Sequence, residues 1–190
     1  MPRMGLNRQA VVNAAIQLIE DRGYKNFSMR ELAERLQIKT ASLYNHIESI
    51  DALYAEIGCY VISKLKDMLI FGIGDKKRDE AVGALADAYY SFAKAHPELY
   101  RIFMDLPVIN DNFWFNAAGD IVNLIIQVLS EYRLDEEQKM HLQRVLRSII
   151  QGFIVQEDVG CLNHFPVDVS ESFHIAVDCF LSGLHNMEKN

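Results

Sequence analysis

Thr40, Ala41, Ser42, Tyr44, Asn45 and His46 put small, hydroxyl-bearing, amide-bearing and aromatic side chains along what reads as the outer face of one short helix. Such side chains approach base edges without steric conflict, and an α-helix fits a DNA major groove, which is about 12 Å wide. A second cluster has metal-like spacing: Glu157 and Asp158, then Cys161-Leu162-Asn163-His164. It falls at a helix end before Phe165-Pro166, where His and Cys commonly just terminate a helix and pack, so no metal is expected. The chain carries no GxSxG, no glycine-rich phosphate loop and no HExxH, so neither an enzyme nor a cofactor is expected. The cysteines Cys59, Cys161 and Cys179 are odd in number and widely spaced. They read as small buried hydrophobes in a reducing compartment.

The elements that must position the outer face are helical. Val11, Val12, Ala15, Ile16, Leu18 and Ile19 recur at spacings of three and four, which predicts a helix over 8–22 ended by Gly23. Ser28-Met29-Arg30-Glu31 is a capping-box pattern and starts a helix over 29–36 whose inner stripe is Leu32, Ala33 and Leu36. After the break Gln37-Ile38-Lys39, a second short helix runs 40–46 with Leu43 and Ile47 inward. A short helix, a tight turn and a second short helix make the helix-turn-helix geometry. Ser49 caps a helix over 50–70, and further helices are expected over 77–96, 97–105, 110–132, 135–161 and 169–189. Pro97 suits a helix start. No alternating run bounded by hairpin turns appears. The expected fold is all-α with about nine helices: a three-helix helix-turn-helix domain at 1–49, then a helical ligand-binding and dimerisation domain at 50–190.

Half of the 190 residues are hydrophobic and 24% are charged, a globular profile. The net charge of −7 argues against a chain that merely coats nucleic acid. Residues 1–50 nevertheless hold seven Lys/Arg against five Asp/Glu, while residues 51–190 hold twelve against twenty-one. A mildly basic head can meet phosphates while an acidic body stays off them. No apolar run is long enough for a membrane span, and the first nine residues lack the apolar core of a secretory signal, so a cytoplasmic protein without membrane partners is expected.

Phe27 to Leu36, then Ala41-Ser42-Leu43-Tyr44-Asn45-His46-Ile47 and Ala52-Leu53, resembles the DNA-binding domain of the tetracycline-repressor (TetR/AcrR) family over about residues 8–55. The resemblance implies base reading by Arg30 at the start of the second helix, through bidentate contact with guanine. Met29 lies beside it in the same interface. Thr40, Ala41 and Ser42 would face bases. Ser28 and Tyr44 would donate to phosphates, which sets register. Asn45 would read adenine or touch the backbone, and His46 would support the helix. Three positions depart from the family pattern. Ile50 stands where most members carry a phosphate-contacting lysine. Gln37 replaces the usual turn glycine, which demands strain or a positive φ elsewhere. Lys39 replaces a hydroxyl cap and adds a cation near the groove.

The same resemblance implies a homodimer on palindromic double-stranded operator DNA, with heads about one helical turn apart. The last two long helices would make it, through Leu142, Leu146, Ile149, Phe153, Phe173, Val177, Phe180 and Leu184, with Gly152, Ala176, Ser182 and Gly183 allowing close approach. These stripes read equally as monomer core. Tyr89, Phe92, Tyr100, Phe103 and Trp114 suggest a pocket for a small, mostly apolar effector, with His96, Asn123, Gln127 and Gln151 as polar partners. Each of them taken singly reads as core. The expected activity is ligand-released repression. Alternatives are a DNA-binding regulator controlled by a protein partner and an interaction module with weakened DNA binding.

Overall fold

The computed structural model describes residues 6–109 and 111–188, with side chains over 6–105 and 119–188. Nine α-helices and no strand occur among the described residues: α1 Arg8–Arg22, α2 Met29–Arg35, α3 Thr40–Leu43, α4 Ile50–Ile73, α5 Arg78–Ala95, α6 Pro97–Ile109, α7 Asp111–Leu129, α8 Glu136–Asp158 and α9 Val169–Glu188. A 3-10 turn, Tyr24–Asn26, follows α1. The fold is all-α, with the helix-turn-helix at its N-terminal end. Helix α6 runs to Ile109, past the end expected at 105, and α3 is shorter than the helix expected over 40–46. Its chain tightens at once: Asn45 and His46 donate to Ser42 and Leu43 carbonyls three residues back, at 3.3 and 2.9 Å.

Two compact units emerge. One runs up to Ser63 and includes His96–Ala117; the other comprises Lys64–Ala95 and the chain from Ala118 onward. In the first, Asn7 caps α1 by accepting from the Ala10 amide at 2.9 Å. Gly23 closes α1 at φ 87°, its amide donating to the Ile19 carbonyl at 2.8 Å. The stripe Val11, Ala15, Ile16 and Ile19 packs into a core with Leu32, Leu43, Ile47, Leu53 and Ile57, all buried. Each side chain of this size contributes about 1.5–3 kcal/mol by leaving water. Helix α6, distant in sequence, lies against α1 and the 3-10 turn. Glu98 Oε2 accepts from the Tyr24 amide at 2.7 Å, a contact across 74 residues. A Cβ at residue 23 would come within 3.2 Å of that carboxylate, a second reason for glycine there.

In the second unit, α5, α8 and α9 pack on one another. Asp135 and Gln138 form a reciprocal capping box at the start of α8, with bonds of 2.8 and 2.9 Å. Phe173 is fully enclosed, stacked on Tyr90 at 4.6 Å and edge-on to Phe153 at 5.5 Å. This corrects the expected dimer surface. Leu142, Leu146, Phe173, Val177, Phe180 and Leu184 are buried inside one chain, and Ile149 and Phe153 are half-buried. Leu146, Phe173 and Leu184 have no surface left for a second chain, whereas Ile149 and Phe153 keep part of theirs. The three cysteines need a second correction: Cys59, Cys161 and Cys179 are all exposed, on the outward sides of their segments.

A polar clasp joins the start of α5 to the end of α9. Arg78 donates twice to Glu188, at 3.2 and 2.8 Å, and stands 4.4 Å over the Tyr132 ring. Asp79 takes the Tyr132 hydroxyl at 2.8 Å and sits 2.9 Å from His185 Nε2. Arg78 and the Arg133 amide hold the Glu188 carboxyl down at about 2. Burial alone would raise the Asp79 carboxyl, but bonds from His185 and Tyr132 outweigh it and leave it low. Both groups are more acidic folded than unfolded. Their stabilisation is therefore complete above the ordinary carboxylate range, near pH 4.5, and drains away as pH falls towards about 2. Glu188→Gln is expected to lower the melting temperature at neutral pH and to flatten its decline between about pH 5 and pH 3 in calorimetry.

Candidate nucleic-acid interface

The interface is built from α2, its turn and α3. Ser28 takes extended backbone (φ −142°) and its hydroxyl oxygen accepts from the Glu31 amide at 3.2 Å. The return contact differs from the expected one: the hydroxyl itself donates to Glu31 Oε2, also at 3.2 Å. Phe27 is buried behind it, with Tyr54 5.8 Å from its ring and 5.4 Å from the Tyr24 ring. Burial, then Tyr24, pushes the Tyr54 hydroxyl up to about 12, so it stays protonated.

The turn after α2 is a Schellman closure. Ile38 donates to the Ala33 carbonyl at 3.0 Å, and Gln37 to Glu34 at 3.1 Å. The residue that must adopt left-handed backbone is Gln37, at φ 57°. The expected departure at the turn is thus met by residue 37 itself, which carries the strain. A left-handed residue with a Cβ costs about 1–2 kcal/mol, of which glycine's larger unfolded-state entropy gives part back. Gln37→Gly is expected to raise stability by up to about 1 kcal/mol in thermal melts, without changing α2 or α3.

Beyond the turn the face divides cleanly. Leu43 and Ile47 are buried, holding α3 on the core. Lys39, Ala41, Tyr44 and Asn45 are exposed, Tyr44 at 52%; Thr40, Ser42 and His46 are half-buried. On α2, Arg30 is exposed and Ser28 and Met29 are half-buried. All nine positions expected at DNA therefore retain accessible surface on the helix-turn-helix. Arg30 Nε donates to Glu34 Oε1 at 3.0 Å, with side chains 84% and 62% exposed. Such a pair is worth little, so Arg30 leaves it at small cost. Lys39 forms no ion pair among the described residues and offers no side-chain cap to α3. At the start of α4, Ser49 accepts from the Ala52 amide at 3.0 Å, and Ile50 is 36% exposed where a phosphate-contacting lysine was the family expectation.

The expected effector residues fall in both units. Tyr89 and Phe92 are buried in the second, where Gln151 Nε2 donates to Tyr89 Oη at 3.1 Å. His96, Tyr100 and Phe103 belong to the first; Tyr100 and Phe103 are buried there, and His96 Nδ1 lies 2.8 Å from Glu20 Oε1. Trp114 lies outside the described side chains. Asn123 and Gln127 are corrected to outward positions. Ile121, Ile125, Val128 and Leu129 take the inner stripe of α7 and leave those two on the opposite, exposed face. Gln143 is the one buried polar residue among the described ones, and neither it nor its neighbour Arg147 was an expected site residue. Their signal was present: 143, 147 and 151 are polar at a spacing of four beside the apolar series 142, 146, 150 and 154.

Around 157–164, no three His, Cys, Asp or Glu side chains among the described residues could hold a metal ion; Glu157 instead takes Tyr90 and Lys94. No described helix is long and apolar enough to cross a membrane.

Comparison with known proteins matches residues 11–57 to "Bacterial regulatory proteins, tetR family" and residues 82–180 to "Tetracyclin repressor-like, C-terminal domain". The chain is 31% identical over its whole length to the uncharacterized HTH-type transcriptional regulator YobS of Bacillus subtilis, covering 98% of that protein. It is 32% identical to the uncharacterized HTH-type transcriptional regulator Rv0681 of Mycobacterium tuberculosis over 86% of this chain and 75% of that one. Over 62% of each chain it is 25% identical to IcaR of Staphylococcus aureus, the negative transcriptional regulator of the biofilm operon icaADBC. Among solved structures, a protein of unknown function from Rhodococcus sp. RHA1 shares the fold with a TM-score of 0.80 at 22% identity, covering 96% of this chain and 97% of that one. A variant of TetR from Acinetobacter baumannii, in complex with minocycline, does so at 0.72 and 16% identity, covering 96% and 98%.

Proposed function

Since this chain belongs to the TetR family of transcriptional regulators, we propose that it is a cytoplasmic one-component repressor that grips palindromic operator DNA as a homodimer and leaves it when a small, mostly apolar effector binds. The observation that carries this reading is the accessible edge of Thr40, Ala41, Tyr44 and Asn45, held outward by buried Leu43 and Ile47, with Arg30 exposed on α2. Residues 1–49 supply DNA contact, with Ser28 and Tyr44 on phosphates and Arg30 on a guanine. Residues 50–190 supply dimerisation and effector binding. Repression is supported by the similarity to IcaR, a negative regulator, and an effector by the fold shared with a minocycline-bound protein.

The dimer uses the outward faces of α8 and α9 in place of the buried stripes. Val145, Val155 and Val159 are exposed on α8 and just after it, and Ile175 and Cys179 on α9. A Cβ at Gly152 or Gly183 would meet nothing within 4 Å in the chain, so this face has room for another helix. In the effector site Tyr89, Phe92 and Gln151 form part of the lining.

Selection of bound fragments from genomic DNA by the full chain tests the reading. It should return a palindrome whose half-sites lie about one helical turn, roughly 34 Å, apart, with affinity falling steeply as salt rises. Arg30→Ala should cost about 1–3 kcal/mol and relax preference at one base pair. Tyr44→Phe should weaken binding to all sequences alike. Failure to bind any duplex at low salt would exclude a DNA-binding role.

A further inference from the structure

Gln143 is 4% exposed, and its amide oxygen has no hydrogen-bond partner. Its amide nitrogen reaches only Met140 Sδ at 3.4 Å, a weak acceptor. One helical turn on, the buried Nε of Arg147 also lacks a partner. The Arg147 side chain makes no ion pair or hydrogen bond among the described residues. A further turn on, Gln151 holds the fully enclosed Tyr89. Residues four apart on a helix are neighbours on one face, so an unmet acceptor, an unmet cationic donor and an amide stand in a row along α8.

The row is out of keeping with its surroundings. Residues 51–190 carry twenty-one carboxylates against twelve Lys/Arg, yet none among the described residues reaches Arg147. The other half-buried arginine of the same unit, Arg78, is held by Glu188 through two bonds. A buried polar atom left unpaired is costly, more so on a charged group, and native chains keep such groups where a ligand or water completes them.

We infer that Gln143, Arg147 and Gln151 form the polar end of the effector site, and that the effector carries a carboxylate or comparable oxyanion bound by Arg147; this rests on the effector reading above. A guanidinium presents a planar fork of donors that matches such a group. A hydroxyl or N–H beside the anion donates to Gln143 Oε1. The remainder of the molecule is apolar, because Leu146 and Ile150 lie next to the row on α8 and Gln151 bonds the enclosed Tyr89. A single water bridging Gln143 and Arg147 satisfies the same two atoms but confers no preference for an anion.

Two fluorescent probes with one aromatic body separate these cases: 8-anilinonaphthalene-1-sulfonate, which is anionic, and N-phenyl-1-naphthylamine, which is neutral. The intact chain should bind the sulfonate at least about tenfold more tightly. Arg147→Met should erase that preference while neutral-probe affinity stays within about twofold, with the fold checked by circular dichroism. Arg147→Lys keeps the charge but loses the fork, and should fall between the two. It also carries the test if Arg147→Met does not fold. Equal affinities in the unaltered chain, or sulfonate binding indifferent to both substitutions, overturns the anion site but leaves the apolar effector reading standing so long as the neutral probe binds. If neither probe binds, both fall.

Discussion

Glutamates at Val155 and Ile175 are expected to leave the chain folded but monomeric, and to cut operator affinity by at least about a hundredfold. Both side chains are large, apolar and exposed, at 44% and 56%. Removing them from the surface of one chain therefore disturbs little within it, since surface changes away from special features alter stability by about 0.5 kcal/mol or less. In the proposed two-fold interface each substitution enters twice, so the pair brings four carboxylates into an otherwise apolar seam. Two tethered heads gain affinity because the second binds as an intramolecular event, and losing the tether removes a factor of about 10² to 10⁴. Light scattering reads the mass and a gel shift reads the affinity. A variant that remains dimeric would place the interface elsewhere.

Phe173→Ala should act in the opposite manner, destabilising each chain by about 3–5 kcal/mol. Phe173 has no exposed surface, stacks on Tyr90 and meets Phe153 edge-on. Its removal leaves a cavity where α5, α8 and α9 converge. With a typical domain stability of about 5–15 kcal/mol, the loss is large enough to show as a major shift in denaturant midpoint. If the phenylalanine instead belonged to a subunit interface, Phe173→Ala would leave the stability of the monomeric variant carrying Val155→Glu and Ile175→Glu unchanged.

The features legible in the sequence were those decided within a few residues. Gly23 ends α1, Ser28 and Glu31 start α2 and Ser49 caps α4, each through a contact spanning at most four residues, and α6 begins at Pro97. The outward face of α3 followed from the spacing of Leu43 and Ile47 alone. Illegible were the questions of what covers a face. Periodicity marks Leu146, Phe173 and Leu184 as apolar positions but does not say whether α5 or a second chain buries them. Here the chain's own helices do. The same limit hid the outward turn of Asn123 and Gln127, which depends on which side of α7 meets the core. The reach of Glu98 to Tyr24 and the isolation of Arg147 are properties of residues distant in sequence, and no local pattern announces them.

The bond from the amide of Tyr24 to Glu98 also bears on how the protein can be cut and recombined. The DNA-contacting part leans on a helix encoded some seventy positions downstream, so its lid is supplied by the very half it would be severed from. A chimaera that swaps only the first fifty or sixty residues inherits a reader without its own brace. Exchange between relatives should therefore succeed where α6 travels with the reader, or where the recipient offers an acid at the same place.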